Sequence, residues 1–166
     1  MTRAGGNLTP DALRRAFASF PSGITAVAAI NDGRPCGLAA SSFTSVSLDP
    51  PLVSVCIARA SGTWPKLRMA PRIGLSVLAQ EHGRVARSLA AKGTDRFAEI
   101  CWERTPHGAV FVRGSALWLD CVRYDELPAG DHVIVLLRIT QVWTYPEVSP
   151  LVFHGSQFRQ LRTADG

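Results

Sequence analysis

Apolar residues recur along the chain at two periods, and the change of period marks the elements. Over residues 9–19 Leu13, Ala16 and Phe17 fall at helical spacing, which Phe20 continues. Thr9 stands as the N-cap, Pro10 as the first helical residue, and Pro21-Ser22-Gly23 as the stop. Residues 24–30, ITAVAAI, predict a strand; Asn31-Asp32-Gly33-Arg34 predicts a tight hairpin, and residues 35–41 return. LVSVCIA at 52–58 reads as a buried third strand. A short helical turn at 62–70, a strand at 72–79 and a helix at 81–92 with Val85, Leu89 and its alanines inward follow. Residues 93–109 read as a long connection containing Phe97 and Trp102. Strands then return at 110–113, 115–124 and 132–143, with a short last one near 151–159.

Many short strands with few helices predict a mainly β fold, a closed or nearly closed antiparallel barrel, since closure removes exposed strand edges. No βαβ alternation with a GxGxxG turn occurs, which disfavours a dinucleotide-binding parallel sheet. The 166 residues suit a single domain over 1–166, and no linker or repeat divides them.

Composition adds little beyond this. No apolar run reaches the length of about 20 residues that spans a membrane, and the N-terminal lead is polar rather than a signal core. These features lead us to expect a cytoplasmic protein that does not engage a membrane. The net charge is +5, but the basic residues are dispersed, with no run of five, so a nucleic-acid-binding β-barrel ranks low. Cys36, Cys56, Cys101 and Cys121 form no CxxC pair. Cys56 and Cys121, in apolar runs, read as small buried residues, and no metal site is expected.

One stretch departs from the background. Residues 41–54 hold six hydroxyl side chains, and Asp49-Pro50-Pro51 separates most of them from the apolar strand that follows. Hydroxyls often cap their own backbone in loops. Here Gly37 permits a close backbone approach and the prolines fix the exit of the segment, which suits a polar edge for a planar ring rich in acceptors. Ser61-Gly62-Thr63-Trp64-Pro65-Lys66 follows a strand and opens a helical turn, so it reads either as an N-cap or as a phosphate site.

DGRPCGLAASSFTSVSLDPPLVSVCI (32–57), SGTWPKLR (61–68), the KGTDRFA region (92–98), PAGDHVIVLLRI (128–139) and PLVFHGSQFRQL (150–161) together resemble the short-chain flavin reductases, with a core at about 13–161. These are FMN-binding split-barrel proteins that serve as reductase components of two-component flavin-dependent monooxygenases. The Pro-Ala-Gly-Asp-His run is also similar to reductases of actinomycete aromatic-polyketide pathways.

The resemblance implies a Greek-key split barrel with a few flanking helices and a homodimer. It further implies FMN or FAD as flavin, NADH or NADPH as hydride donor, and an oxygenase partner reached by diffusible flavin. A non-catalytic flavin-binding split barrel is the alternative it leaves open. Carried over residue by residue, it implies that Ala39, Ala40, Ser41, Ser42 and Thr44 line the flavin ring, with Cys56 and Ile57 beside them. Ser61, Thr63 and Trp64 would serve the ribityl and phosphate, with Lys92, Arg96 and Phe97 nearby. His132 of the Gly-Asp-His run would sit by the flavin and nicotinamide. Two departures stand out: Ala39 replaces a threonine common in the family, and Phe153-His154-Gly155-Ser156-Gln157-Phe158 offers no aromatic hydroxyl.

Overall fold

The computed structural model describes residues 7–93 and 95–162. The polar N-terminal lead and Thr94 of the KGTDRFA stretch lie outside these. The elements in chain order are α1 (Pro10–Phe17), β1 (Ser22–Gly23), β2 (Thr25–Asn31), β3 (Arg34–Ala40), β4 (Thr44–Leu48), β5 (Pro51–Ala58), α2 (Trp64–Arg68), β6 (Ile73–Val77), α3 (Gly83–Ala90), β7 (Trp102–Arg104), β8 (Val110–Val112), β9 (Leu117–Ala129), β10 (His132–Thr144), β11 (Val152–His154) and β12 (Gln157–Arg159).

Seven strands form one sheet in the order β3-β2-β6-β9-β10-β5-β4, and every pair in it is antiparallel. Its two end strands, β3 and β4, are consecutive in the chain and are joined by Ser41, Ser42 and Phe43 alone. From Ala40 to Thr44 the chain can reach at most about 14 Å. In a flat sheet of this order the end strands would stand about 29 Å apart. The sheet must therefore curl until its ends approach, giving a barrel with a split between β3 and the β4–β5 hairpin.

Tight turns set the register. Asp32 (φ 49°) and Gly33 (φ 74°) form the predicted hairpin and place Asn31 opposite Arg34. Gly130-Asp131 closes β9 onto β10, placing Ala129 opposite His132. Asp49-Pro50 closes β4 onto β5, placing Leu48 opposite Pro51.

The continuous apolar run of β2 is explained by burial on both faces. Val27 and Ala29 point into the barrel with Val53, Val55, Ile57, Leu75, Leu119, Val135 and Leu137. Ala26 and Ala28 point outward under Ala86 and Leu89 of α3, Phe97, Val110 and Val112. Alanines on that outer face let α3 and the Phe97 ring come close. A smaller aromatic cluster lies apart from these, with Phe111 stacked on Trp118 at 5.0 Å.

Four expectations are corrected. The hydroxyl segment is not a free loop: its second half is strand β4, because it supplies the partner that β5 needs on its far side. The 93–109 connection contains the short strand β7, paired with β8. Cys56 is exposed, since its outward position alternates with buried Val55 and Ile57, whereas Cys121 is buried as expected. Finally, α1 has the predicted Thr9 cap, with Thr9 Oγ1 accepting from the Ala12 N–H at 3.2 Å, but no residue of it is buried. Phe17 and Phe20 are 70% and 77% exposed, because the described residues offer no surface against that face.

Candidate functional site

At the split, the end of β3, the end of β5, the loop into α2 and the segment after α3 surround a cleft of about 770 Å³. Ala39, Ala40, Ser41, Ala58, Ala60 and Gly62 line it with side chains no larger than a hydroxymethyl group. Such a lining leaves backbone accessible and a slot wide enough for a flat ring. This fits a flavin: small walls for the ring, and Lys92 and Arg96 in the lining as cations for a phosphate.

Hydroxyls within the cleft mostly bond to the protein itself. Ser42 Oγ accepts from the Cys56 N–H at 2.8 Å and donates to the Cys56 carbonyl at 3.2 Å. Strand pairing between β4 and β5 reaches only Thr44 and Ser54. Ser42 thus continues the ladder with a side chain, satisfying a backbone pair that would otherwise face the split unpaired. Ser61 Oγ accepts from the N–H groups of Thr63 and Trp64 at 3.3 and 3.2 Å. These bonds brace the entry to α2, whose N-cap residue, Thr63, makes no side-chain cap bond of its own. Thr63 Oγ1 accepts from Arg96 at 3.0 Å. The Ser41 hydroxyl makes no hydrogen bond among the described residues, and Ser41 is exposed.

Arg96 ties the site together. Its guanidinium donates to the Ala91 carbonyl (2.7 Å), the Gly37 carbonyl (2.9 Å) and Thr63 Oγ1 (3.0 Å), joining the end of α3, strand β3 and the entry to α2. Gly37 is required beside it by packing. A Cβ there would lie 2.8 Å from Ala28 Cβ and 3.0 Å from the Phe97 ring, so the missing side chain serves the packing of Phe97.

His132 opens β10 next to Ala58, and its Nδ1 lies 2.7 Å from Asp131 Oδ1. A carboxylate only accepts, so Nδ1 carries the proton and Nε2 of the neutral ring is an acceptor. The same bond holds the Asp131 carboxyl below the ordinary carboxylate range. The turn is fixed further by the Arg59 N–H, which donates to the Asp131 carbonyl at 2.9 Å.

Ala39, Ala40, Ser41, Ser42, Cys56, Ile57, Ser61, Thr63, Lys92 and His132 all line this one cleft, although they come from five separate segments of sequence. Three other residues singled out from the sequence do not. Thr44 starts β4 and is exposed, its hydroxyl 3.5 Å from the Ser42 carbonyl. Trp64 turns into the barrel core, and Phe97 is buried against β2 and lines an adjoining cleft. Leu38, Ala58, Ala60, Leu89, Ala90 and Gly93 also line the cleft but were not singled out, being apolar or small with nothing to mark them. Among the described residues no group of three or more His, Cys, Asp or Glu side chains is placed to hold a metal ion. No described helix is long and apolar enough to cross a membrane.

Comparison with known proteins points the same way. The "flavin reductase like domain" family matches residues 17–162. The stachydrine N-demethylase reductase subunit of Rhizobium meliloti is 39% identical over 132 residues, 79% of this chain, but the chain spans only 57% of that relative's length. A flavin reductase of Pseudomonas putida is 34% identical over 148 residues, covering 89% of this chain and 87% of that protein. The NADH:FAD oxidoreductase of Streptomyces globisporus C-1027, solved with NAD and FAD fragments, superposes with a TM-score of 0.87 at 31% identity, covering 96% of this chain and 98% of that one. With its antiparallel split barrel, its small-walled cleft and a family match across nearly the whole sequence, this chain belongs to the flavin reductase like domain family.

Proposed function

We propose that this protein is an NAD(P)H:flavin oxidoreductase that supplies reduced flavin to a separate oxygenase component, acting as a homodimer in the cytoplasm. The observation that carries the reading is the single cleft gathering Ala39–Ser42, Cys56–Ile57, Ser61, Thr63, Lys92 and His132.

When bound, the flavin supplies N5 as acceptor of the hydride that leaves nicotinamide C4, with solvent completing the proton balance. The chain's own part is orientation and electrostatics. The small side chains of Ala39, Ala40 and Ala58 hold a ring by contact without excluding a second ring from its other face. Lys92 and Arg96 offset phosphate charge. His132, its tautomer set by Asp131, presents Nε2 to accept from the nicotinamide carboxamide and so favours a productive stack. No residue is required as nucleophile or proton donor in this step. Two reductase relatives, from Rhizobium meliloti and Pseudomonas putida, support the activity. The homodimer is supported by Phe17 and Phe20, which the described residues leave uncovered, and by Leu48, which is 96% exposed on the β4 edge.

The test is NADH and NADPH oxidation by purified protein with and without added FMN, FAD or riboflavin. The account expects oxidation that depends on added flavin. Flavin binding without turnover by either nicotinamide would leave only a flavin-binding protein.

A further inference from the structure

Helix α3 reaches the cleft with one end only. Leu89, Ala90, Lys92 and Gly93, at and just after its last turn, line the cleft, while Gly83 and Arg87 lie further back along it. Its inner face meets the barrel largely through small side chains. Ala86 lies over Ala26 and Ala28, and Leu89 is its one large side chain that is fully buried. A surface of methyl groups lets a helix come close but offers few ridges to stop it sliding along its axis. The contact that fixes it comes from its other side.

That contact is the C-terminal hairpin. Gly155 (φ 60°) and Ser156 (φ 59°) form a two-residue turn with both residues in the left-handed region, which sets His154 opposite Gln157 and Phe153 opposite Phe158. The two phenyl rings pack at 5.8 Å. The hairpin is anchored to the barrel at its base. There the Leu151 N–H donates to the Leu78 carbonyl at 2.7 Å, the Gln80 N–H donates to the Ser149 carbonyl at 2.9 Å, and β11 pairs with β1. From this base Phe158 meets α3 at two successive turns. Arg87 Cζ stands 5.0 Å over the ring, and Gly83 admits the ring edge, since a Cβ there would lie 3.2 Å from Phe158 Cδ2. Gly83 and Arg87 stand at i and i+4 on one face of the helix, so a single ring holds both.

We propose that Phe158 is a positioning residue for flavin binding. Clamped against Gly83 and Arg87, it fixes α3 along its axis and so sets where Lys92 meets the flavin phosphate. Phe158 does not itself line the cleft. The sequence marks its segment by the lack of an aromatic hydroxyl; the clamp uses the ring alone and needs none. The proposal rests on the flavin reading of the cleft.

The test compares Phe158→Ala with Phe158→Tyr, which keeps the ring, and with Arg87→Gln, a change at an exposed residue that leaves the core untouched. Dissociation constants for FMN and riboflavin are measured by flavin fluorescence. Amide hydrogen exchange is followed over 86–93 in the flavin-free protein, with thermal melts as a folding check. The expected result for Phe158→Ala is an FMN constant raised about tenfold, the scale of one lost charge-assisted hydrogen bond, with riboflavin, which has no phosphate, nearly unchanged. Exchange over 86–93 becomes faster, Arg87→Gln moves both readouts the same way by less, and Phe158→Tyr restores wild-type values. If Phe158→Ala does not fold, Arg87→Gln carries the same two readouts. FMN and riboflavin weakened equally, or both constants unchanged, gives Phe158 a packing role only and overturns the proposal. Unchanged exchange over 86–93 overturns it as well. A wild-type protein that binds neither flavin, while Phe158→Ala still speeds exchange over 86–93, would sink the flavin reading of the cleft and leave the clamp standing.

Discussion

Arg96 reaches three acceptors on three separate segments: Ala91, Gly37 and Thr63. Replacing it with alanine leaves two carbonyls and a hydroxyl to find water in a half-buried place. Arg96→Ala should cost about 2 kcal/mol of stability by chemical denaturation, the range for hydrogen bonds to a charged group, and should weaken flavin binding as well. An unchanged denaturation midpoint would show that the three bonds do not hold the cleft. His132 has a different expected signature. Its ring is joined to the exposed Asp131 and does not brace the core, so His132→Ala should melt like wild type. In stopped-flow it should reduce flavin more slowly, or bind NADH more weakly, by about 1–3 kcal/mol, the worth of one lost hydrogen bond at the site. Wild-type rate and affinity would return His132 to a turn-closing role. At this scale the sequence revealed which residues carry chemistry but not what their atoms bond to. Ser42, Ser61 and Thr63 stood out as hydroxyls, yet their partners are backbone groups and an arginine set by tertiary contact.

The β2–β3 hairpin was the most legible element, because Asp32-Gly33 states its own turn geometry, whereas the strand expected at 115–124 runs on to Ala129 and turns into β10 through Gly130-Asp131. Strand β4 was not legible, since Thr44-Ser45-Val46-Ser47 is as polar as a loop and becomes a strand only because β5 lacks a partner on that side. This yields a prediction at the element scale. Ser42→Ala removes the hydroxyl that serves both the N–H and the C=O of Cys56, and should cost about 1–2 kcal/mol by denaturation. Unchanged stability would mean that solvent replaces the hydroxyl freely. A second element carries a pH dependence. His82 precedes α3, and its Nδ1 accepts from the Ala79 N–H at 3.1 Å. Burial pushes its pKa below the ordinary value of 6.5, against the pull of Glu81 and a hydrogen bond to the Arg113 backbone. The unfolded chain therefore binds the proton first. The stability His82 contributes is fully present above pH 6.5 and is lost as the pH falls from there through the lower folded-state value. Melting temperature should drop across that window in wild type and stay flatter in His82→Gln. Parallel curves would contradict the assignment.

At the scale of the whole molecule, the barrel follows from a sheet order whose two ends are neighbours in the chain, an order that strand spacing alone could not give. The class was legible from many short strands; the closure depended on pairings distant in sequence, such as β6 with β9. Helix α1 shows the reverse case. Its periodicity was read correctly, but among the described residues nothing covers Phe17 and Phe20, and a second copy is the proposed cover. Light scattering should therefore give twice the chain mass of 17.9 kDa, and a monomer would remove that role for the aromatic face. The central claim is that the cleft at the split lets a nicotinamide reduce a flavin. The most direct measurement is anaerobic mixing of NADH, and separately NADPH, with the flavin-loaded protein while the oxidised-flavin absorbance is followed. The account predicts rapid, stoichiometric bleaching with at least one of the two, far faster than with free flavin. Flavin that is bound but bleaches no faster than free flavin with either nicotinamide would contradict it.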